Sequence, residues 1–177
     1  MNLPNKLTLL RVAFIPLCLL FTMLRQNVPA AALFIIACVT DYLDGYIARK
    51  QHIVTNFGKF ADPVADKILT LTMMVALLAR GDYYWWATAI VAARELAVDG
   101  LRLVAVNQGI VIPAGRLGKF KTNAQFLSIL ASLTLAPVWL ALSLAILMAL
   151  LTIISGVQYF VAGKDLFLQD IKHSAEK

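Results

Sequence analysis

The sequence predicts an all-α polytopic membrane protein with six transmembrane helices and an N-terminal juxtamembrane segment. Hydrophobic residues make up 60% of the 177-residue chain and charged residues 15%, with a mean hydropathy of +0.77. Soluble domains have about 45–50% apolar and about 25% charged residues. Apolar runs of about 20 residues, the length that a spanning helix needs, recur along the chain. The length fits a single domain, residues 1–177.

Six apolar runs define the predicted spans. They cover residues 6–25, 30–49, 60–79, 83–106, 120–139 and 141–162. Turn-forming residues at 27–29, 80–82 and 107–109 separate several of them. The last boundary is the least defined, because residues 126–154 are almost continuously apolar and Pro137 falls near the end of the fifth run. Cys18 and Cys38 lie inside apolar runs, which indicates core or lipid-facing residues rather than a disulfide.

Basic residues are distributed unevenly between the two predicted sides of the membrane. Only Arg25 and Arg80 lie near one side. Near the other side lie Lys6, Arg11, Arg49, Lys50, Lys59, Arg116, Lys119, Lys121, Lys164, Lys172 and Lys177. Because cytoplasmic loops are enriched in Lys and Arg, we expect both termini to face the cytoplasm. The net charge of +6 then indicates anionic lipid headgroups as the partner of the basic residues. The chain carries no motif for binding nucleic acid.

Two further interpretations concern the interfaces. The aromatic residues at 83–86 predict a belt at the outer membrane interface. The basic start, short apolar stretch and small residues at 30–32 also resemble a cleavable signal peptide. Its removal would leave five spans with the termini on opposite sides. The lysine-bearing C-terminus favours the even number of spans.

Acidic residues interrupt the second and third runs at regular spacing. The pattern is Asp41-x-x-Asp44-Gly45-x-x-Ala48-Arg49, eight further residues, then Gly58-x-x-x-Asp62-x-x-x-Asp66. On a helix, positions i, i+3 and i+7 of the first half share one face, as do positions i, i+4 and i+8 of the second. Consecutive spans joined by a short loop are antiparallel neighbours. The two faces can therefore gather four carboxylates near the cytoplasmic boundary.

Four carboxylates inside a membrane protein need neutralisation, and ionisable residues in a span indicate a functional site. An all-oxygen set favours hard cations such as Mg²⁺, Mn²⁺ or Ca²⁺ over zinc. Two divalent ions would neutralise the four charges. Gly45, Ala48 and Gly58 leave room for a large ligand on the same faces. The alternative is a structural role in salt bridges, with Arg49, Lys59 and Lys67 as partners.

At all eight positions the spacing resembles the motif of the CDP-alcohol phosphatidyltransferase family. The resemblance implies a six-span membrane enzyme that transfers a phosphatidyl or related group from a CDP-linked donor to an alcohol and releases CMP. It also implies a homodimer with its site facing the cytoplasm. Asp41, Asp44 and Asp62 would hold two Mg²⁺ or Mn²⁺ ions, and Asp66 would be the general base, a metal ligand or both. The residues implied to line the site of CDP-diacylglycerol are Gly45, Ala48, Arg49 and Gly58.

The N-terminal stretch LPNKLTLLR resembles the branch of this family that uses glycerol 3-phosphate. Asn5, Thr8 and Arg11 recur at three-residue steps and so share a helix face. We assign Asn5 and Thr8 to the donor site. The alternative is a basic juxtamembrane anchor in which the threonine caps the helix.

The fourth run and the segment after it carry charges that predict a second anion site. Arg94, Glu95 and Arg102 lie inside the run, where charge needs a polar interior or a partner. Lys119 and Lys121 follow at the cytoplasmic edge, where ordinary positive-inside charge is their alternative role. Cations gathered beside a metal site would bind an acceptor that bears its own phosphate. The candidate glycerol-3-phosphate residues are Arg94, Arg102, Lys119 and Lys121.

Two other functions stay open from the sequence. The acceptor could be another phosphate-bearing alcohol, such as inositol phosphate or phosphatidylglycerol. Acids within spans also suit a divalent-cation transporter. Transporters usually contain an internal repeat with matched broken helices, and this sequence shows none.

Overall fold

The computed structural model describes the backbone of residues 3–50, 56–107, 110 and 115–164, and the side chains of 8–43, 58, 61–107, 110, 115 and 117–164. Within this part the chain forms six α-helices and no strand, so the predicted all-α class is confirmed. The helices are α1 Leu3–Met23, α2 Asn27–Lys50, α3 Asn56–Ala79, α4 Trp85–Asn107, α5 Arg116–Leu133 and α6 Val138–Ala162.

The turn between α5 and α6 lies earlier than the predicted boundary. Leu135 has a left-handed backbone, with φ of 52°. The amide of Ala136 donates to the carbonyl of Ala131 at 2.9 Å, which is the 6→1 bond of a Schellman helix end. Pro137 disfavours a helical conformation in the residue before it. The predicted fifth span, roughly residues 120–139, therefore ends too late, because residues 134–137 form the turn.

Helices α1 and α3 end with the same hydrogen-bonding pattern. Arg25 has φ of 58° and Gly81 has φ of 79°. In each case the amide of the next residue donates to a carbonyl five positions earlier, at 2.9 Å. The left-handed residues end the helices. The accompanying hydrogen bonds satisfy carbonyls that would otherwise be unpaired at the helix end.

The chain divides into two compact units. The first unit comprises Met1–Tyr84 and Phe126–Ala141. In it α1 packs against α2 and α3. Its buried side chains include Cys18, Met73 and Leu77, and the rings of Phe34 and Phe126 meet edge to face with centroids 6.0 Å apart.

The second unit comprises Trp85–Gln125 and Leu142–Lys177. Val98, Leu101 and Ala105 of α4 form a buried cluster with Tyr159 of α6. A Cβ on Gly163 would lie 3.0 Å from Cδ1 of Leu101, so this glycine allows the end of α6 to approach α4 closely. Small residues thus bring the two helices together where Tyr159 is buried.

Large apolar side chains cover much of the exposed surface of α6. They include Leu147, Leu150, Ile154, Val157 and Val161, which are 47–60% exposed. An apolar surface of this extent fits lipid as the solvent, because water would favour its association with other surfaces. By length and composition, one helix of the described part, Val138–Ala162, could cross a membrane. Thr8–Met23 and Asn27–Leu43 are shorter apolar stretches.

Two predictions about individual residues have different outcomes. Cys18 and Cys38 are both free thiols, as predicted. Trp85 is largely exposed, but Tyr83 is buried and its hydroxyl hydrogen bonds with that of Ser128 at 2.8 Å. The predicted interfacial belt therefore does not include Tyr83, because a buried phenol with a polar partner is stable in the core.

The two arginines on the predicted outer side are held by the turns of the first unit. The buried Arg80 donates from Nη1 to the carbonyl of Thr22 at 2.8 Å and pairs through Nη2 with Oδ2 of Asp82 at 2.7 Å. Arg25 donates from Nη2 to the carbonyl of Arg80 at 3.1 Å. These contacts connect the end of α1 to the turn after α3.

Candidate active site

One face of α1 contacts acidic residues of both α2 and α3. The hydroxyl of Thr8 donates to Oδ1 of Asp62 on α3 at 2.6 Å. One turn further, Nη1 of Arg11 lies 2.5 Å from Oδ1 of Asp41 on α2. Thr8 and Arg11 are fully buried, which confirms that they share an inward face. The first helix therefore positions a carboxylate on each of its two neighbours.

Asp66, the third described aspartate, belongs to the same region. It lies one turn beyond Asp62 on α3 and is half-buried. The Cys38 side chain on α2 lies close enough to interact electrostatically with both Asp41 and Asp66. Cys38 is thus near acids of both α2 and α3, and the meeting of the two acidic faces stays a prediction. Gly58 lies two turns before Asp66, at the start of α3.

Other predicted residues of this site fall outside the described side chains. They are Asn5, Asp44, Gly45, Ala48 and Arg49. Among the side chains that are described, no three of His, Cys, Asp or Glu lie close enough together to hold a metal ion. The donor chemistry still fits a hard cation, because the described acids are all carboxylates. Arg11 and Thr8 contact Asp41 and Asp62, and the metal site itself stays a prediction.

A second cluster of charges lies in the second unit, around Glu95 of α4. Nζ of Lys121 lies 2.5 Å from Oε1 of Glu95, and Nη1 of Arg94 lies 3.1 Å from the same oxygen. Glu95 and Lys121 are buried, and the side chain of Arg94 is 13% exposed. One carboxylate thus holds two of the predicted acceptor residues together.

Arg102, the third of these residues, lies against Tyr159 of α6. Its Nη2 donates to the hydroxyl of Tyr159 at 2.7 Å, and the backbone amide of Gly115 donates to the same oxygen at 3.3 Å. The Cζ atoms of Arg102 and Arg94 lie 5.0 and 5.2 Å from the centroid of the Tyr159 ring. Both guanidinium groups are therefore within cation–π distance of one aromatic ring.

The second cluster differs from the sequence-based prediction at two points. Lys119 is exposed, and no described contact joins it to Arg94, Arg102 or Lys121. The sequence did not single out Tyr159, because a tyrosine in an apolar run is usually a packing residue. One signal was available: Gln158 and Tyr159 place two polar groups inside the last apolar helix, where polar groups usually mark function.

A groove of about 690 Å³ runs between α4 and α6 beside this cluster. Its walls include Ile90, Ala97, Val157 and Phe160, and they are almost entirely apolar. Arg94 contributes to the wall, and its Cγ would lie 3.3 Å from a Cβ at Gly156. The groove is thus an apolar surface next to the charged cluster.

Comparison with known protein families identifies the family of this chain. A family model described as CDP-alcohol phosphatidyltransferase matches residues 1–157, which include the aspartates of α2 and α3. The chain belongs to the CDP-alcohol phosphatidyltransferase family. The resemblance inferred from the acidic motif is confirmed. CDP-alcohol phosphatidyltransferases are integral membrane proteins in bacteria and generally depend on a divalent cation.

Several bacterial CDP-alcohol phosphatidyltransferases are similar over most of this chain. The CDP-diacylglycerol–glycerol-3-phosphate 3-phosphatidyltransferase of Bacillus subtilis is 42% identical over 147 residues, 75% of this chain and 76% of its own. A probable phosphatidylglycerophosphate synthase of Mycobacterium tuberculosis is 42% identical over 89% of this chain and 79% of its own. The enzyme of Rickettsia typhi that carries the same name as the Bacillus protein is 38% identical over 94% of this chain and 99% of its own.

Proposed function

We propose that this chain is a phosphatidylglycerophosphate synthase, a CDP-diacylglycerol–glycerol-3-phosphate 3-phosphatidyltransferase of bacterial phospholipid biosynthesis. It transfers the phosphatidyl group of CDP-diacylglycerol to sn-glycerol 3-phosphate and releases CMP. Similar proteins that carry this name support the proposal at 38–42% identity. The structural observation that carries it is the partly buried cluster of Arg94, Arg102 and Lys121, because an acceptor with its own phosphate needs such a group of cations.

Arg94, Arg102 and Lys121 bind the phosphate of the acceptor in this proposal, with Lys119 at the exposed edge. Glu95 balances two of these cations when no acceptor is bound. Arginine suits this role because its planar group donates two parallel hydrogen bonds to a phosphate. An acceptor without a phosphate, such as serine, does not need this pocket, so these residues favour a phosphorylated acceptor.

The aspartates supply the metal site and the general base. Asp41, Asp44, Asp62 and Asp66 are the ligands of two divalent ions, Mg²⁺ or Mn²⁺. Bound ions supply electrostatic stabilisation of the diphosphate and of the leaving group. Thr8 acts on the donor site through Asp62, and Arg11 orients Asp41. The remaining residues of the donor site are Asn5, Gly45, Ala48, Arg49 and Gly58.

The reaction needs one proton transfer and one displacement at phosphorus. The carboxylate of Asp66 accepts the proton of the free primary hydroxyl of glycerol 3-phosphate. The resulting oxygen forms a bond to the phosphorus that carries diacylglycerol. The bond from that phosphorus to the oxygen of CMP breaks, and CMP leaves with the electron pair. Positioning and electrostatics account for most of the rate enhancement in such reactions.

The protein lies in the bacterial cell membrane in this proposal, with six spans and with both termini and the site on the cytoplasmic side. The uneven distribution of basic residues supports this orientation. Residues 1–177 act as one domain, which is supported by the match of one family model to residues from both compact units. We propose a homodimer as the working assembly.

Release of CMP by the purified protein tests the proposed function. The protein is given CDP-diacylglycerol and Mg²⁺ or Mn²⁺ with glycerol 3-phosphate, inositol phosphate or phosphatidylglycerol, and a sample without acceptor measures hydrolysis. We expect CMP with glycerol 3-phosphate and none after addition of a chelator. Absence of CMP with glycerol 3-phosphate would contradict the proposal, and CMP with inositol phosphate alone would identify the other acceptor.

A further inference from the structure

Tyr159 of α6 is a buried residue in contact with two of the proposed acceptor residues. It is 5% exposed and packs against Val98, Leu101 and Ala105 of α4. Its apolar contacts alone would suit phenylalanine or leucine equally well. The phenol oxygen is therefore the group whose presence needs an explanation, because burying a polar group without hydrogen bonds is unfavourable.

The ring of Tyr159 lies close to two guanidinium groups of α4. The Cζ atoms of Arg94 and Arg102 lie 5.2 and 5.0 Å from its centroid. The two arginines are eight positions apart, which places them about 80° apart around the helix axis. Both guanidinium groups nevertheless lie near the same ring. The electron-rich face of an aromatic ring attracts cations, so the ring favours this arrangement.

The hydroxyl of Tyr159 already accepts two hydrogen bonds. Their donors are Nη2 of Arg102 at 2.7 Å and the amide of Gly115 at 3.3 Å. A phenol oxygen has two lone pairs and one proton, so only the proton is left to form a bond. Within the part of the chain that is described, no acceptor lies within hydrogen-bonding distance of that proton.

Other buried groups beside Tyr159 also lack an acceptor. The Nε atoms of Arg94 and Arg102 are buried, and neither donates to any of the described residues. Together with the phenol they form a set of hydrogen-bond donors around one ring. A ligand that satisfies such a set has several acceptor oxygens and a negative charge, which describes a phosphate group.

We infer that Tyr159 binds the acceptor substrate. Its ring sets the spacing of Arg94 and Arg102, and its hydroxyl donates a hydrogen bond to a phosphate oxygen of glycerol 3-phosphate. The inference rests on the proposed function, because it assigns Tyr159 to the phosphate of that acceptor. The ring and the hydroxyl have separable roles, so substitutions that remove one or both give different results.

Tyr159→Phe tests the hydroxyl, since it keeps the ring and removes a single oxygen. Steady-state kinetics with each substrate varied in turn should give a KM for glycerol 3-phosphate raised about tenfold, the effect of losing one hydrogen bond to a charged group. The KM for CDP-diacylglycerol and kcat should stay within about twofold of the original values. Tyr159→Leu removes the ring as well and should raise the acceptor KM further.

Tyr83→Phe is the matched control. It removes the same atom from another buried tyrosine, whose hydroxyl contacts Ser128 in the first unit. We expect its KM values for both substrates to equal those of the unmodified protein. Comparable thermal unfolding temperatures of the two Phe variants would establish that folding does not explain a difference between them.

Two results would overturn the inference. One is an unchanged acceptor KM in Tyr159→Phe, and the other is an equal rise in KM for donor and acceptor, which indicates a structural role. Calorimetric titration with inorganic phosphate, without donor, separates this inference from the proposed function. If the unmodified protein releases no CMP with glycerol 3-phosphate, the proposed function fails. Phosphate binding about tenfold weaker in Tyr159→Phe would still support a phosphate contact, and equal binding would contradict it.

Discussion

Thr8 and Arg11 lie one turn apart on α1, and each contacts a carboxylate of a different helix. Arg11 is completely buried, and its pairing with Asp41 gives the guanidinium a compensating charge away from water. Removing one partner of such a pair typically costs roughly 3–5 kcal/mol, because the other charge stays buried. Thr8 is uncharged, so its contact with Asp62 can be removed at a smaller energetic cost.

Thr8→Val tests whether this contact serves the metal site. Valine has nearly the same shape but cannot donate to Oδ1 of Asp62. Loss of a hydrogen bond that orients a metal ligand typically weakens metal affinity about 10–100-fold. We expect the Mn²⁺ concentration for half-maximal activity, and the Kd from electron paramagnetic resonance of bound Mn²⁺, to rise by at least about tenfold.

Thr22→Val is the control for this experiment. Thr22 lies on the same helix and is equally buried, and its hydroxyl donates to the Met73 sulfur at 3.8 Å, a weak acceptor. Its substitution should leave Mn²⁺ binding unchanged. The same Mn²⁺ affinity in Thr8→Val and in the unmodified protein would falsify the role assigned to Thr8.

The placement of single residues was predictable where helical periodicity decides it. The shared face of Thr8 and Arg11 follows from their spacing alone. The partners of these two residues were not predictable, because the rotation of α1 against its neighbours depends on packing that no local pattern records. Tyr159 was missed for a related reason: its position beside Gln158 in an apolar helix is a weak signal, and its contacts with Arg94 and Arg102 depend on the packing of α6.

Helices α1, α3 and α5 end with the same backbone conformation. Each ends in a left-handed residue, Arg25, Gly81 or Leu135. A left-handed conformation costs roughly 1–2 kcal/mol in a residue with a Cβ, and glycine avoids this cost. Gly81 has open space around its missing side chain, so the backbone conformation alone decides what a substitution does there.

Gly81→Ala should therefore lower the free energy of unfolding by about 1 kcal/mol. Gly100→Ala is the matched comparison, because Gly100 lies inside α4 and also has no atom near its missing Cβ. In that position alanine favours the helix, and stability should rise by up to about 1 kcal/mol. Unfolding of the detergent-solubilised variants, followed by circular dichroism, measures both. Equal stability of the two would contradict this account.

Helix number and approximate position were predictable from hydropathy, but the boundary between α5 and α6 was not. An uninterrupted apolar run contains no information about where the chain reverses. Leucine seldom adopts the left-handed conformation that Leu135 has, so only Pro137 indicated a break there. The hydrogen bonds at the end of α5 define this turn, which residue preferences alone would not place.

For the whole molecule, charge distribution determines the expected orientation. Arg25 and Arg80 are the two arginines on the predicted outer side, and both are tied to turns through Asp82 and backbone carbonyls. Because orientation follows the distribution of Lys and Arg and not the net charge, these ion pairs leave the predicted asymmetry unchanged.

Reporter fusions test this topology. Green fluorescent protein at the C-terminus should fluoresce in intact bacteria, and alkaline phosphatase at the same place should be inactive, since it needs an oxidising compartment to form disulfides. A phosphatase fusion at residue 82 should be active and serves as the control. Phosphatase activity at the C-terminus would contradict the proposed orientation.

In the proposed orientation, the tight turns after α1, α3 and α5 form the surface of the protein that faces the outside of the cell. Residues 24–26, 80–84 and 134–137 are all that joins the helices there. Proteases cut where a chain can leave the surface and enter their cleft, which long loops allow and turns of this length do not. In the proposed orientation, a protease added to intact cells would therefore leave this protein whole, and an antibody would find almost no exposed segment to bind.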